Sequence, residues 1–174
     1  VTFWGLETSY GRYLGSFNVP RSLATLAYDG RRSAYFRKEL LNALRIIEDG
    51  HISASDMKGS WAGAMGQSQF MPSSFLNYAV DWNGDGRRDI WGTKPDVFAS
   101  AANYLKKAGW RDDITWGRKV RIPGDLVING MGATKLSESK TWLKLPEWHS
   151  AGVRNAEGGA LPERLLKARL VMPD

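Results

Sequence analysis

Residues 33–50, SAYFRKELLNALRIIEDG, limit what the chain can fold into more than any other stretch. Ser33 is set to cap a helix running to Asp49. Phe36, Leu40, Leu44 and Ile47 recur at three- and four-residue spacing on one face, and Gly50 offers the left-handed stop. A helix with such a stripe needs a cover, and the neighbouring segments supply helices. Phe3, Leu6, Tyr10 and Leu14 predict a helix over 2–14, closed by Gly15. Asn18 before Pro20 predicts another, with Leu23, Leu26 and Ala27 inward. Ser53 with Asp56 resembles a capping box for a short helix. Pro72 opens a helix to about Val80. Pro95 opens one through Lys107, with Phe98, Ala102 and Leu105 inward. After Trp110 the pattern weakens. KVRIP and DLVI read as short strands, SESKTWLKL and residues 162–171 as helical segments.

The expected fold is therefore mainly α with a small irregular C-terminal part. With 174 residues, 43% of them hydrophobic, the chain can bury one real core, and residues 1–174 are read as a single domain. The first residues already read as helix interior and the end, VMPD, is abrupt, so a fragment of a longer protein is expected. The net charge of +6 favours anionic partners. Its basic residues come in scattered pairs (Arg31-Arg32, Arg87-Arg88, Lys106-Lys107) rather than a run, which argues against nucleic acid as the partner. The absence of cysteine excludes disulfides, thiolate metal sites and a cysteine nucleophile.

One glutamate sits oddly. In WGLETSYG, residues 4–11, Glu7 shares a helical face with Phe3, Tyr10 and Gly11. Two glycines in so short a helix cost about 1 kcal/mol each relative to alanine, a cost accepted where something approaches the backbone closely. Aromatic neighbours would desolvate the carboxyl and favour its protonated form, as a general acid requires. The plainer alternative is a glutamate at the rim of an amphipathic helix, with glycines serving helix packing.

A second stretch, GSWAGAMGQSQFMPSSF from Gly59 to Phe75, has neither helical nor strand period and reads as a structured loop. It is followed by DWNGDGRRDIWG. Taken together, Glu7-Thr8-Ser9-Tyr10-Gly11 as E-T-x-x-G, Ser60 to Ser74 as S-x-A-G-A-M-G-x-x-Q-F-M-P-S-S, and the Asp/Gly loop from Asp81 to Asp89 resemble the lytic murein transglycosylase B family. The match is close over roughly residues 3–110 and looser beyond.

The resemblance implies a lysozyme-like (goose-type) helical domain. It implies cleavage of the β-1,4 bond between N-acetylmuramic acid and N-acetylglucosamine in peptidoglycan glycan strands. The muramic C6 hydroxyl is the nucleophile and the product is a 1,6-anhydro sugar. Glu7 is then general acid and afterwards base, and Ser60 and Gln69 line the same cleft. Gln67, Gln69 and Ser60 suit neutral sugar hydroxyls and acetamides. Tyr10, Phe70 and Trp61 could stack on sugar faces, or simply pack in the core. The implied location is the periplasm, with any membrane attachment made through a lipid anchor outside this chain and other cell-wall enzymes as potential partners.

In the acidic loop, Asp81, Asn83 and Asp85 fall at positions 1, 3 and 5 of an EF-hand loop. Gly86 is at 6, the Arg87 carbonyl at 7 and Asp89 at 9. Position 12 is Gly92 instead of glutamate, and the resemblance supplies Asp96 as the closing ligand of a segment spanning about 81–96. The expected ion is a weakly held structural Ca2+ (or Na+), and no cofactor is needed for catalysis. A solvated Asp/Gly turn is the alternative. His51 and His149 have no partners at metal spacing and read as surface or capping residues. Two other functions stay open: a hydrolytic muramidase using Asp29, Asp49 or Asp56 to activate water, and a calcium-stabilised glycan-binding module without turnover.

Overall fold

The structure is a computed structural model and describes residues 1–172, so the last two residues of the VMPD terminus lie outside it. Where the sequence reading takes one domain, the chain gathers into two compact units, Val1–Arg111 and Asp112–Asp174.

The first unit is helical. In order it contains α1 (Thr2–Thr8), β1 (Phe17–Asn18), α2 (Val19–Tyr28), α3 (Ser33–Glu48), β2 (Lys58–Gly59), α4 (Pro72–Tyr78) and α5 (Lys94–Lys107). Asn18 caps α2 as expected, its side-chain oxygen accepting from Arg21 N at 3.1 Å. Helix α2 packs along α3, and α3 against α4. Val19, Leu23, Ala43, Ile46, Met57, Met65, Phe70, Phe75 and Ile90 form the buried core. Burying such a side chain contributes about 1.5–3 kcal/mol for the larger ones, against about 0–1 kcal/mol for an exposed ion pair such as Arg45–Asp49. Packing therefore decides the fold.

The α3 stripe differs from the expected one by a partial rotation. Leu44 is about half exposed, while Glu39 is 2% exposed. The Glu39 carboxylate accepts from Ser73 N at 2.8 Å, at the start of α4. That long-range bond is what makes a glutamate tolerable inside. The expected capping box at Ser53 and Asp56 forms as a hydrogen-bonded turn without a helix behind it.

The motif 59–75 folds into a miniature antiparallel sheet. Strand β1 pairs with β2 (Phe17↔Gly59, Asn18↔Lys58), and single bridges continue from Gly59 to Met65 and from Met65 to Phe70. The reversals are so tight that a Cβ at Gly59 would lie 2.0 Å from the Ala64 carbonyl oxygen. Its glycines and absent periodicity are thus the signature of close backbone crossing.

His51 is buried, contrary to the surface role expected for it. Arg88 Nε donates to its Nε2 at 3.0 Å, and Arg87 donates to its carbonyl at 3.2 Å. A protonated imidazole has no lone pair for Arg88. Burial first, then the Arg88 charge, hold its pKa below the ordinary histidine value of 6.5. The unfolded chain therefore takes up this proton at a higher pH than the folded one, so stability is lost as pH falls below about 6.5. Melting temperatures followed from pH 8 to pH 5 should decline on the acid side. In His51→Gln that decline should flatten, and an unchanged slope in the variant would assign it to other groups.

The second unit is built from short pieces: β3 (Val120–Arg121), β4 (Val127–Ile128), β5 (Met131–Gly132), α6 (Ala133–Glu138), β6 (Leu143–Lys144), α7 (Leu145–Ser150), β7 (Arg154–Asn155) and β8 (Lys167–Ala168). The pairs β3–β7, β4–β5 and β6–β8 are all antiparallel. Leu126, Leu136, Trp148, Val153, Leu161 and Leu170 form a separate core. KVRIP and DLVI contain β3 and β4. The helices expected at SESKTWLKL and 162–171 give way to α6 followed by β6, and to β8, because Leu143 and Ala168 pair across the unit.

Candidate active site

Helix α1 is shorter than the sequence suggests. It stops at Thr8, where Ser9 (φ 49°), Tyr10 (φ 63°) and Gly11 (φ 83°) turn left-handed in succession. For Ser9 and Tyr10 this conformation costs about 1–2 kcal/mol each, and such strain is retained where a side chain must be aimed. Leaving the helix, the Tyr10 ring folds back to meet Trp4 edge-on, with centroids 5.3 Å apart. Leu6, expected inward, is 82% exposed.

The two glycines of WGLETSYG now have partners. A Cβ at Gly5 would sit 2.9 Å from the Tyr10 ring, and one at Gly11 only 2.3 Å from Gln67 Oε1. Something does approach the backbone closely, but it is the protein's own Tyr10 and Gln67. The enclosed carboxyl expected from the aromatic neighbours is not observed. Glu7 is exposed, and its carboxylate makes no hydrogen bond to the described residues. The aromatic rings are spent on each other: Trp4 meets Tyr10 and, at 5.0 Å, Phe98.

Gln67 is buried, and its amide is engaged at both ends. Its Oε1 accepts from Trp4 Nε1 at 2.8 Å, and its Nε2 donates to the Trp91 carbonyl at 2.8 Å. Its backbone N–H donates to Ile90 O at 2.8 Å, and its carbonyl accepts from the buried Thr8 hydroxyl at 3.1 Å. Thr8 Oγ1 in turn accepts from Gly11 N at 3.1 Å. Gln67 is therefore a tie between α1 and the motif, and not a free sugar ligand.

Gln69 behaves differently. It holds a left-handed φ of 48°. Its Nε2 is fixed to the carbonyls of Leu14 (3.2 Å) and Gly66 (2.9 Å), while its Oε1 accepts from none of the described residues. Ser60 Oγ accepts from Ala64 N at 3.0 Å and Ala62 N at 3.3 Å, and so braces the turn after β2. The Ser60 hydroxyl proton remains available. Phe70, proposed as a sugar platform, is 3% exposed and packs on Tyr104, so it belongs to the core. Tyr10 and Trp61 are both more than half exposed and keep open faces. The sequence reading missed Trp4 and Thr8. Their signal was the i, i+4 spacing beside Glu7, which carries no information about the distant Gln67.

The acidic loop folds largely onto itself. Asp81 accepts from the amides of Gly84 (2.7 Å), Asp85 (3.2 Å) and Gly86 (2.8 Å), and Asp85 from Arg87 N at 2.9 Å. Asp89 accepts from Trp91 N, Gly92 N and both Thr93 donors. Burial works to raise its pKa, but the bonds from Gly92, Trp91 and Thr93 outweigh it and hold the carboxyl below its ordinary range. Asp96, 0% exposed, accepts from Trp82 N and Asp89 N, each at 2.9 Å. Among the described residues no three His, Cys, Asp or Glu side chains are grouped to hold a metal. An all-oxygen donor set suits a hard cation such as Ca2+. Asn83, Asp85 and the Arg87 carbonyl lie at the exposed start of the loop beside Asp81, whereas Asp96 is fully buried with both oxygens on amides. An ion held by Asp81 would have to share its oxygens with the amides of Gly84, Asp85 and Gly86.

A left-handed helix end presenting one unpartnered carboxylate, tied to a glycine-rich sheet, extends the resemblance from residues to geometry. The family described as "Transglycosylase SLT domain" matches residues 1–174. This chain belongs to that family. Among relatives of the transglycosylase SLT family, membrane-bound lytic murein transglycosylase B of Escherichia coli K12 is 45% identical over 107 residues, 61% of this chain and 29% of that protein. SltB3 of Pseudomonas aeruginosa, solved with NAG-anhNAM-pentapeptide, superposes with a TM-score of 0.89 at 47% identity, covering 98% of this chain and 44% of that one. Escherichia coli Slt35, solved with calcium, gives 0.73 at 34% identity, covering 97% and 51%. The mainly helical, lysozyme-like fold expected from the sequence is the fold these transglycosylases share. This chain spans about half or less of the length of each of the three. None of the described helices is long and apolar enough to cross a membrane.

Proposed function

We propose that this chain carries the catalytic region of a peptidoglycan lytic transglycosylase. It cleaves the N-acetylmuramic acid–β-1,4–N-acetylglucosamine bond and closes the muramic residue to its 1,6-anhydro form. The observation that carries the reading is the exposed, unpartnered carboxyl of Glu7 on a helix tied to the motif that presents Gln69 Oε1. Glu7 protonates the glycosidic oxygen as the bond breaks, and its carboxylate then accepts the C6 hydroxyl proton. The nucleophile lies within the substrate, so the second carboxylate of the usual glycosidase pair is not needed. Gln69 Oε1 accepts from a sugar hydroxyl or acetamide N–H, and the Ser60 hydroxyl donates to the same glycan. Two of the candidate water-activating aspartates are engaged elsewhere: Asp49 faces Arg45 and Asp56 holds Ser53.

Mass spectrometry of purified peptidoglycan treated with the protein tests this. Products ending in 1,6-anhydromuramic acid are expected. Free reducing ends would mean hydrolysis, and bound but uncut glycan would mean a binding module. Action in the periplasm, beside other cell-wall enzymes and with attachment through an anchor outside these residues, follows from the same reading and from the membrane-bound relative.

The start of the acidic loop is read as a weak calcium site held by Asp81, Asn83, Asp85 and the Arg87 carbonyl, serving stability rather than catalysis. Millimolar calcium should raise the melting temperature by about 1–4 °C, a gain of roughly 1 kcal/mol at a few times the dissociation constant. The increment should vanish in Asp85→Asn. The same increment in the variant, or none in the wild type, would remove the site.

A further inference from the structure

We infer that Gln67 is a positioning residue, which fixes the rotation of α1 and thereby aims the Glu7 carboxyl. The inference rests on the transglycosylase reading. It deepens that reading by naming what orients the acid, at a position that the family pattern S-x-A-G-A-M-G-x-x-Q leaves open.

The physical case starts from the weakness of α1. Seven residues are too few to hold a helix in water alone, and none of its apolar residues joins the buried core of the first unit: Trp4 packs edge-on against Tyr10 and the part-exposed Phe98, and only Thr8 is buried. Its orientation must come from specific ties. Gln67 supplies three on successive turns of the chain: Trp4 Nε1 to the side-chain oxygen, Thr8 Oγ1 to the backbone carbonyl, and the Gly11 backbone packed against the amide. The far end of the amide is anchored by the Trp91 carbonyl, and the backbone by Ile90 O, so the tie is rigid on the motif side. Trp4 and Thr8 share one face of α1, and Glu7 stands about 60–100° around the helix from it. Side-chain tips lie about 5–6 Å from a helix axis, so a 10° roll moves a carboxyl by about 1 Å. Displacement on that scale can cost a reaction about a hundredfold. Gln67 needs no contact with substrate to control the rate.

The test uses the 174-residue chain, soluble glycan strands, and the variants Gln67→Met, Trp4→Phe and the two combined, assayed well below their melting temperatures. Gln67→Met should lower kcat about 10- to 100-fold with KM within about twofold. The double variant should be no slower than the worse single one, because both remove the same bond. A rise in KM at unchanged kcat would make Gln67 a sugar ligand and overturn the inference. Unchanged kcat, or losses that multiply in the double variant, would overturn it as well. A wild-type chain that yields no anhydro product would sink the transglycosylase reading instead. The tie is then judged by exchange of the Trp4 indole N–H, expected to be slow in the wild type and fast in Gln67→Met. Equal rates would overturn it.

Discussion

Glu7→Gln should abolish formation of 1,6-anhydro products while leaving the protein folded. A positioned general acid contributes about 10²–10⁴ in rate, and in the proposed mechanism one group serves as acid and then base, so a loss at or beyond the upper end is expected. The amide keeps the side chain's size but can neither deliver a proton nor accept one under these conditions. Stability should barely change. Glu7 is exposed and its carboxylate makes no hydrogen bond to the described residues, and substitutions at such positions usually stay within about 0.5 kcal/mol. The decisive comparison is kcat against the melting temperature of the same preparation. Activity close to wild type would remove Glu7 from the mechanism, and a collapsed melting temperature would make the loss uninterpretable as chemistry and contradict its exposure.

Asp96→Ala should produce the opposite pattern, a large loss of stability at a residue outside the proposed reaction. Its two oxygens each accept a backbone N–H, from Trp82 and Asp89, and so close the acidic loop from both ends. The carboxylate is fully buried in the first turn of α5, where the helix dipole also favours negative charge. Bonds to a charged acceptor contribute about 1.5–3 kcal/mol each, and removing the acceptor leaves two donors unsatisfied. A loss of about 3–5 kcal/mol follows, on the order of 10 °C or more in melting temperature. Asp96→Asn, able to keep one acceptor, should fall between. If Asp96→Ala cost no more than an exposed substitution, the loop would be held by something other than this residue.

Much of the helical frame was legible because its signals are local. The Asn18 cap, the prolines at the starts of α2, α4 and α5, and Gly50 after α3 act within a few residues of where they stand. What misled is long-range. The spacing of Leu6 and Tyr10 is helical, yet the chain turns left-handed at Ser9, because Tyr10 is needed over Gly5 and Gly11 against Gln67. Glu39 lies inside where Leu44 was expected, since its partner, Ser73 N, is 34 residues away. Phe70 reads equally well as platform or core, and only its contact with Tyr104 decides. The glycine-rich motif announced its importance but not its mechanics. Gln67 and Gln69, two residues apart with the same side chain, serve opposite ends, one turned inward to α1 and the other left open.

The thinness of the attachment of α1 has a consequence for how such a molecule fails. The proposed acid, Glu7, stands on a single short helix outside the apolar core, so releasing that helix is expected to cost less than melting the unit. On the proposed mechanism, the population able to transfer a proton should decline on warming while Val19, Leu23, Ile46 and Phe75 are still packed. Catalytic competence and structural integrity would then have separate thermal limits. The durability of the reaction would be set by about two turns of helix, so a thermostabilised core would not by itself yield a more heat-tolerant catalyst.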